Sequence, residues 1–155
     1  MQTRLVDKPA FILAGLAVDT SQAHQAADAT PLATRFFAPG FMAGLRGRTD
    51  PTATVALHAN WNPDDETYRL MFGCEVEGAD QPDGVEVVRI PAARYTLFTA
   101  VGPQPQASID AWKEITAWRG RPDLVRTGPV SFEIHDARAR GALPEVDIYI
   151  PAIPA

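Results

Sequence analysis

The sequence predicts an α+β domain in which duplicated strand–helix–strand–strand units form one antiparallel sheet, with two helices on one face and a ligand groove on the other. The chain has 155 residues, of which 46% are hydrophobic, so residues 1–155 are expected to form a single domain with one core. Its 14 prolines interrupt regular structure at short intervals and leave room for only two helices. The order strand, helix, strand, strand occurs twice, which indicates an internal duplication.

Strands are predicted where apolar and polar residues alternate between the prolines. In the clearest case, Tyr68, Leu70 and Phe72 share one face of their strand. The predicted strands are residues 10–18, 53–61, 67–76, 85–90 running on after Pro91 into 93–101, 130–135 and 145–150.

The second helix has the clearer pattern of the two. Ser108 is expected to cap it, and the apolar residues that follow recur at the spacing of one helical face. A glycine and a proline then end it. The apolar arc consists of Ala111, Trp112, Ile115 and Trp118, and the predicted stop consists of Arg119, Gly120 and Pro122.

The first helix is expected to begin at Thr30, because threonine is a good N-cap and Pro31 suits the first helical position. It carries Leu32, Phe36 and Phe37 before a proline and a glycine end it. Whether residues 21–28 are also helical stays open.

Composition and charge exclude several classes of function. The formal net charge is −5 and the basic residues form no run, so nucleic acid is not an expected partner. A single cysteine excludes an internal disulfide, and the three histidines lack metal-ligand spacing, so neither a metal nor a cofactor is expected. The apolar residues 9–18 are too short to span a bilayer. We expect a cytoplasmic protein without a membrane partner, either a monomer or a weak homodimer.

Five short segments follow one another in a specific order and spacing over nearly the whole chain. They are residues 68–76 (YRLMFGCEV), 90–98 (IPAARYTLF), 111–118 (AWKEITAW), 131–135 (SFEIH) and 146–152 (VDIYIPA). Together they resemble the GyrI-like small-molecule-binding family, here in its stand-alone form. Domains of that family also serve as effector domains of AraC-type and multidrug-sensing transcription regulators.

The resemblance implies a groove that binds bulky, often cationic, aromatic compounds. A glutamate in the strand motif meets the positive charge in that family, and Glu133 stands at the matching position. His135 replaces the aromatic residue that follows in the family motif, and if protonated it would oppose a cationic ligand. Strand alternation places Glu133 and His135 on one face of their strand. In the last strand Val146, Ile148 and Ile150 suit the core, which turns Asp147 and Tyr149 to the groove.

An aromatic lining around the carboxylate would add cation–π attraction. Trp112 is as readily a core residue as a lining residue, and Trp61 belongs more readily to the core or the rim than to the ligand contact. Cys74 and His58 could be read as a nucleophile and its base, but we expect Cys74 to pack as a small apolar residue. The expected ligand-binding residues are Glu133, Tyr149, Trp112, Trp61, Phe37, His135 and Tyr95.

Two functions are compatible with this resemblance. The first is a binding module that captures or senses drug-like molecules; because the chain has no helix-turn-helix segment, direct transcriptional control is not expected. The second is a hydrolase, since some GyrI-like proteins open strained rings of alkylating natural products. In that case Glu133 would act as the general base and Tyr149 would position the substrate.

Overall fold

The computed structural model describes residues 3–62, 64–117 and 130–152. Eight strands form one antiparallel sheet in the order β1-β6-β8-β7-β3-β4-β2-β5, and two helices pack on it. The α+β class, the single antiparallel sheet and the two helices are as predicted. The elements are β1 (Thr3–Lys8), β2 (Phe11–Ser21), α1 (Gln25–Phe36), β3 (Thr54–Asn62), β4 (Thr67–Val76), β5 (Glu86–Ile90), β6 (Ala93–Val101), α2 (Gln106–Ala117), β7 (Val130–His135) and β8 (Glu145–Pro151).

The internal duplication is visible in the order of the strands. Strands β2, β3 and β4 with α1 form one unit, and β6, β7 and β8 with α2 form the other. In the sheet, β3 and β7 are neighbours at the centre, while β4 and β8, then β2 and β6, follow outward on either side. The two units are therefore related by a pseudo-twofold axis between β3 and β7.

The edge strands link the two units. Strand β1 leads directly into β2 but pairs with β6, and β5 leads directly into β6 but pairs with β2. Pro91 separates β5 from β6, so they are distinct strands. Strand β1 was absent from the sequence prediction because its residues are mostly exposed at an edge, where no buried face imposes alternation.

Helix α1 begins at Gln25, earlier than the predicted start at Thr30. Pro31 lies inside the helix instead of at its first position, although proline cannot donate a backbone hydrogen bond. The Thr30 hydroxyl donates to the Ala26 carbonyl instead of capping the helix, at 3.1 Å. Burial of Leu32 between the helix and the sheet compensates for the backbone hydrogen bond that Pro31 cannot donate.

Helix α2 is close to its prediction, except that Ser108 is its third residue and not its cap. Its hydroxyl donates to the side chain of Gln104. The predicted end of the helix, residues 118–122, lies outside the described residues. No helix in the described ranges is long and apolar enough to cross a membrane.

The face of the sheet without helices is folded around a core of its own. The rings of Phe11 on β2 and Phe132 on β7 lie 5.4 Å apart, although β4 and β3 separate these strands in the sheet. The sheet must therefore curl strongly towards this face. The ligand groove expected here gives way to packed side chains, and the residues buried in this inner core are Phe11, Leu13, Val55, Leu57, Met71, Ile90, Tyr95, Val130 and Phe132.

Two glycines allow β2 and β4 to approach closely within the curled sheet. Gly15 pairs directly with Gly73. A Cβ atom on Gly15 would lie 2.0 Å from the carbonyl oxygen of Phe72, and one on Gly73 would lie 2.8 Å from Cγ of Leu13. Neither position can accept a side chain without movement of the backbone or the core.

Replacing Gly15 with alanine is expected to lower the free energy of unfolding by about 1 to 3 kcal/mol, because the methyl group would meet backbone atoms that cannot rotate away. Chemical denaturation measures this loss. Gly78→Ala is the matched control, since a Cβ atom there meets nothing within 4 Å. Equal stability of the two variants would show that the strands do not approach as described.

The helices cover the outer strands of the opposite face. Helix α1 packs through Leu32 and Phe36 on residues of β2 and β4 such as Leu16 and Leu70. Helix α2 packs through Ala111 and Ile115 on residues of β6 and β8, among them Phe98, Ile148 and Ile150. The central strands β3 and β7 lie between the two helices, and their side chains on this face form the candidate site.

Candidate functional site between the helices

Glu133 lies at the centre of the helix-bearing face. It stands on β7 opposite Ala56 of β3 and Ile148 of β8. Its side chain is only 16% exposed. Because both neighbours across the sheet are apolar, the carboxylate receives little solvation from the strands beside it.

The two carboxylate oxygens of Glu133 have different neighbours. The indole Nε1–H of Trp112, on α2, donates to Oε2 at 3.3 Å. Nε2 of His135, two residues further along β7, lies 3.6 Å from Oε1. An indole and an imidazole thus flank a partly desolvated acid.

A row of aromatic rings continues from Trp112 across the central strands. Trp112 lies 5.3 Å from the imidazole of His58, His58 lies 5.5 Å from the ring of Tyr68, and Tyr68 stacks on Trp61 at 5.8 Å. We call Glu133 and these four aromatic side chains the interhelical site. It places one carboxylate at the end of a row of aromatic rings.

The charge of Glu133 follows from opposing effects. Burial raises the pKa of Glu133, but His135, His58 and the indole N–H of Trp112 together outweigh burial and hold that pKa below its ordinary value. The carboxylate is therefore ionised at neutral pH. It is a negative charge held in a weakly solvated place, which favours a positively charged partner.

His58 is neutral at pH 7. Burial lowers the pKa of its imidazole, and the nearby Glu133 carboxylate opposes this only in part. Its Nδ1 atom is buried and has no hydrogen-bond partner among the residues described.

Tyr68 completes the far end of the row. Burial, together with the charge of Asp28, raises the pKa of Tyr68 to about 12, and its hydroxyl donates to the side chain of Gln25 on α1. It is thus an uncharged, buried aromatic side chain that is hydrogen-bonded to the first helix.

The structure brings four of the seven predicted site residues to this face. Glu133, His135 and Trp112 lie together, and Trp61 joins them through Tyr68. The aromatic row therefore links residues from both halves of the chain.

Tyr149 and Tyr95 lie on the opposite face, in the inner core. Tyr149 pairs with Phe132 and stacks on its ring at 4.6 Å, while Tyr95 contacts the same ring at 5.2 Å. Residues that pair across two strands share a face of the sheet. Since Glu133 pairs with Ile148, the adjacent Tyr149 points to the other face, and the expected grouping of Glu133 with Tyr149 is wrong.

Two further predicted positions also lie away from the interhelical site. Phe37 follows the last residue of α1, is 56% exposed and contacts Phe36. Asp147 is buried on the face of the sheet without helices, where it accepts hydrogen bonds from Thr99 and Arg138. Asp147 therefore has its own partners and no role at the interhelical site.

Tyr68 was read from sequence only as a strand residue, and His58 only as the partner of a nucleophile. The alternation of β4 could not distinguish Tyr68 from the apolar residues on the same face of that strand. His58 pairs with Leu70, and Cys74 lies four residues further along that strand, about 13 Å away. Burial raises the pKa of Cys74, so it packs as a thiol, as expected. No group of three or more metal-ligating side chains occurs in the described part of the chain.

Comparisons with known proteins agree with this architecture. A family model described as Cass2, integron-associated effector binding protein, matches residues 4–152. The transcriptional regulator BrlR of Pseudomonas aeruginosa is 32% identical over 158 residues, which cover 97% of this chain and 55% of BrlR. The chain therefore spans little more than half the length of that relative.

Solved structures share the fold. The structure of SAV2435 bound to tetraphenylphosphonium has a TM-score of 0.79 at 17% identity, and the match covers 97% of this chain and 93% of that one. An integron cassette protein from the mobile metagenome of Vibrio cholerae has a TM-score of 0.66 at 18% identity, with 96% and 94% covered. At these identities, the likeness concerns the fold alone.

Proposed function

Since the chain belongs to the family of integron-associated effector-binding proteins, we propose that it binds hydrophobic aromatic cations between α1 and α2, with Glu133 as the counter-charge. Membership confirms the resemblance to GyrI-like proteins and supports binding of small molecules. The observation that carries the finer proposal is the partly desolvated, ionised carboxylate of Glu133 at the end of an aromatic row.

The physics of the interhelical site favours a cation of this kind. A partly desolvated carboxylate attracts a positive charge more strongly than one in water, since the screening solvent is reduced. Each aromatic face adds about 0.5 to 2 kcal/mol of cation–π attraction. Because an extended apolar surface with one charge fixes few details of a ligand, such a site accepts many shapes.

The fold relative SAV2435 supports the ligand class. Its structure contains tetraphenylphosphonium, a bulky aromatic cation without a hydrogen-bond donor. Such a molecule can interact with a single opposite charge and with the faces of aromatic rings. Glu133 supplies the charge, and Trp112 and Tyr68 supply the rings.

The same geometry argues against the hydrolase alternative. A general base works best when its pKa lies near the working pH, whereas the pKa of Glu133 lies below its ordinary value. Tyr149, which would position the substrate in that mechanism, lies on the other face of the sheet. We therefore propose a protein that captures or senses its ligand without turnover.

A pair of ions with the same shape and opposite charge tests the proposal. Tetraphenylphosphonium is expected to bind at least about tenfold more tightly than tetraphenylborate, which corresponds to 1.4 kcal/mol or more. Isothermal titration calorimetry at pH 7.5 measures both. Equal binding, or tighter binding of the borate, would refute the role of the carboxylate.

A further inference from the structure

Glu133 already has a neighbour that can carry a positive charge. His135 Nε2 lies 3.6 Å from Oε1, and its side chain is 32% exposed, so solvent protons reach it. The other oxygen of the carboxylate is occupied by the indole of Trp112. A cation that approaches Oε1 must therefore share this oxygen with His135.

We propose that His135 determines which charge class of ligand the interhelical site accepts. As an imidazolium it neutralises Glu133 and favours uncharged aromatic ligands, and as a neutral imidazole it leaves the carboxylate to a cationic ligand. This inference rests on the proposed function.

The competition follows from electrostatics. Two positive charges beside one carboxylate oxygen repel each other, and the weak solvation of Glu133 limits the screening of that repulsion. Protonation of His135 and binding of a cation therefore oppose each other. By linkage, a cation that weakens proton binding must itself bind more weakly when the proton is present.

The other groups around Glu133 are less suited to this switch. Burial lowers the pKa of His58 on β3, so His58 takes up a proton less readily than an ordinary histidine. Trp112 on α2 does not titrate, and β8 presents the apolar Ile148. Asp136, which follows His135, is paired with Arg138. Among the described histidines, His135 is thus the one that lies 3.6 Å from the Glu133 carboxylate with a partly exposed side chain, and histidine is the residue type that ordinarily changes charge between pH 5 and 8.

Two measurements follow for the protein as it is. Affinity for tetraphenylphosphonium should fall by about fivefold or more between pH 7.5 and 5.5, while affinity for the neutral triphenylphosphine oxide should not fall. Binding of the cation near pH 6.5 should also release a fraction of a proton. Calorimetry in two buffers with different ionisation enthalpies measures that release.

Variants assign the proton to one residue. His135→Phe should remove both the pH dependence and the proton release, and His135→Gln, which keeps a polar side chain at this strand end, should do the same. His24→Gln is the matched control, because His24 lies exposed just before α1. It should keep both effects.

The outcomes separate this inference from the proposed function. If tetraphenylphosphonium binds with no pH dependence, or if the dependence persists in His135→Phe, the role of His135 is refuted while cation binding stands. If it does not bind at any pH, both proposals fail. Loss of the dependence in the two His135 variants alone supports the inference.

Discussion

Replacing Glu133 with glutamine is expected to weaken binding of tetraphenylphosphonium by about 2 to 5 kcal/mol, because a desolvated cation would lose the counter-charge that this carboxylate provides. The amide occupies nearly the same volume as the carboxylate. It can still accept the hydrogen bond from Trp112, so the fold should persist. Titration calorimetry at pH 7.5 and a thermal unfolding curve measure the two effects separately.

Two controls make this result specific to charge. Triphenylphosphine oxide, which is neutral, should lose little affinity in the Glu133→Gln variant. Tyr149→Phe should leave binding of both ligands unchanged, since Tyr149 stacks on Phe132 on the other face of the sheet. Unchanged cation binding by Glu133→Gln would show that Glu133 is an ordinary strand residue.

Replacing Phe132 with alanine is expected to lower the free energy of unfolding by about 3 to 5 kcal/mol, because it would open a cavity in the inner core. The side chain is fully buried. Its ring contacts those of Phe11, Tyr95 and Tyr149 at 5.4, 5.2 and 4.6 Å. Denaturant titration measures this loss of unfolding free energy, provided that the dependence of that free energy on denaturant concentration is the same in both proteins.

Phe37→Ala provides the matched aromatic control, since Phe37 is 56% exposed at the end of α1. It should cost far less than Phe132→Ala. A small effect at Phe132 would mean that the helix-free face is an open groove, as the sequence alone suggested, and not a core.

Local patterns predicted the elements well. Strands β4 and β7 have the boundaries that their alternation indicated, and α2 follows its apolar arc. Edge strand β1 was not predicted, because neither of its faces is buried and its residues therefore show no alternation tied to burial. The start of α1 was misplaced because proline is a common first residue of helices. Here Pro31 lies inside the helix, where burial of one helical face offsets its cost.

The assignment of faces could not be read from single strands. Alternation correctly separated Phe132 from Glu133 and Ile148 from Tyr149. Both apolar sets were expected on one face of the sheet, as is usual for a sheet with one solvated side. This sheet is buried on both faces, so Phe132 enters the inner core while Ile148 packs under α2. Only the register of β7 with β8 decides which residues meet.

A crystal structure of the protein with tetraphenylphosphonium tests the central claim most directly. The account predicts the phosphonium on the helix-bearing face, beside the carboxylate of Glu133, with its phenyl rings against Trp112 and Tyr68. Electron density for the ligand on the opposite face, against Tyr95 and Tyr149, would contradict it.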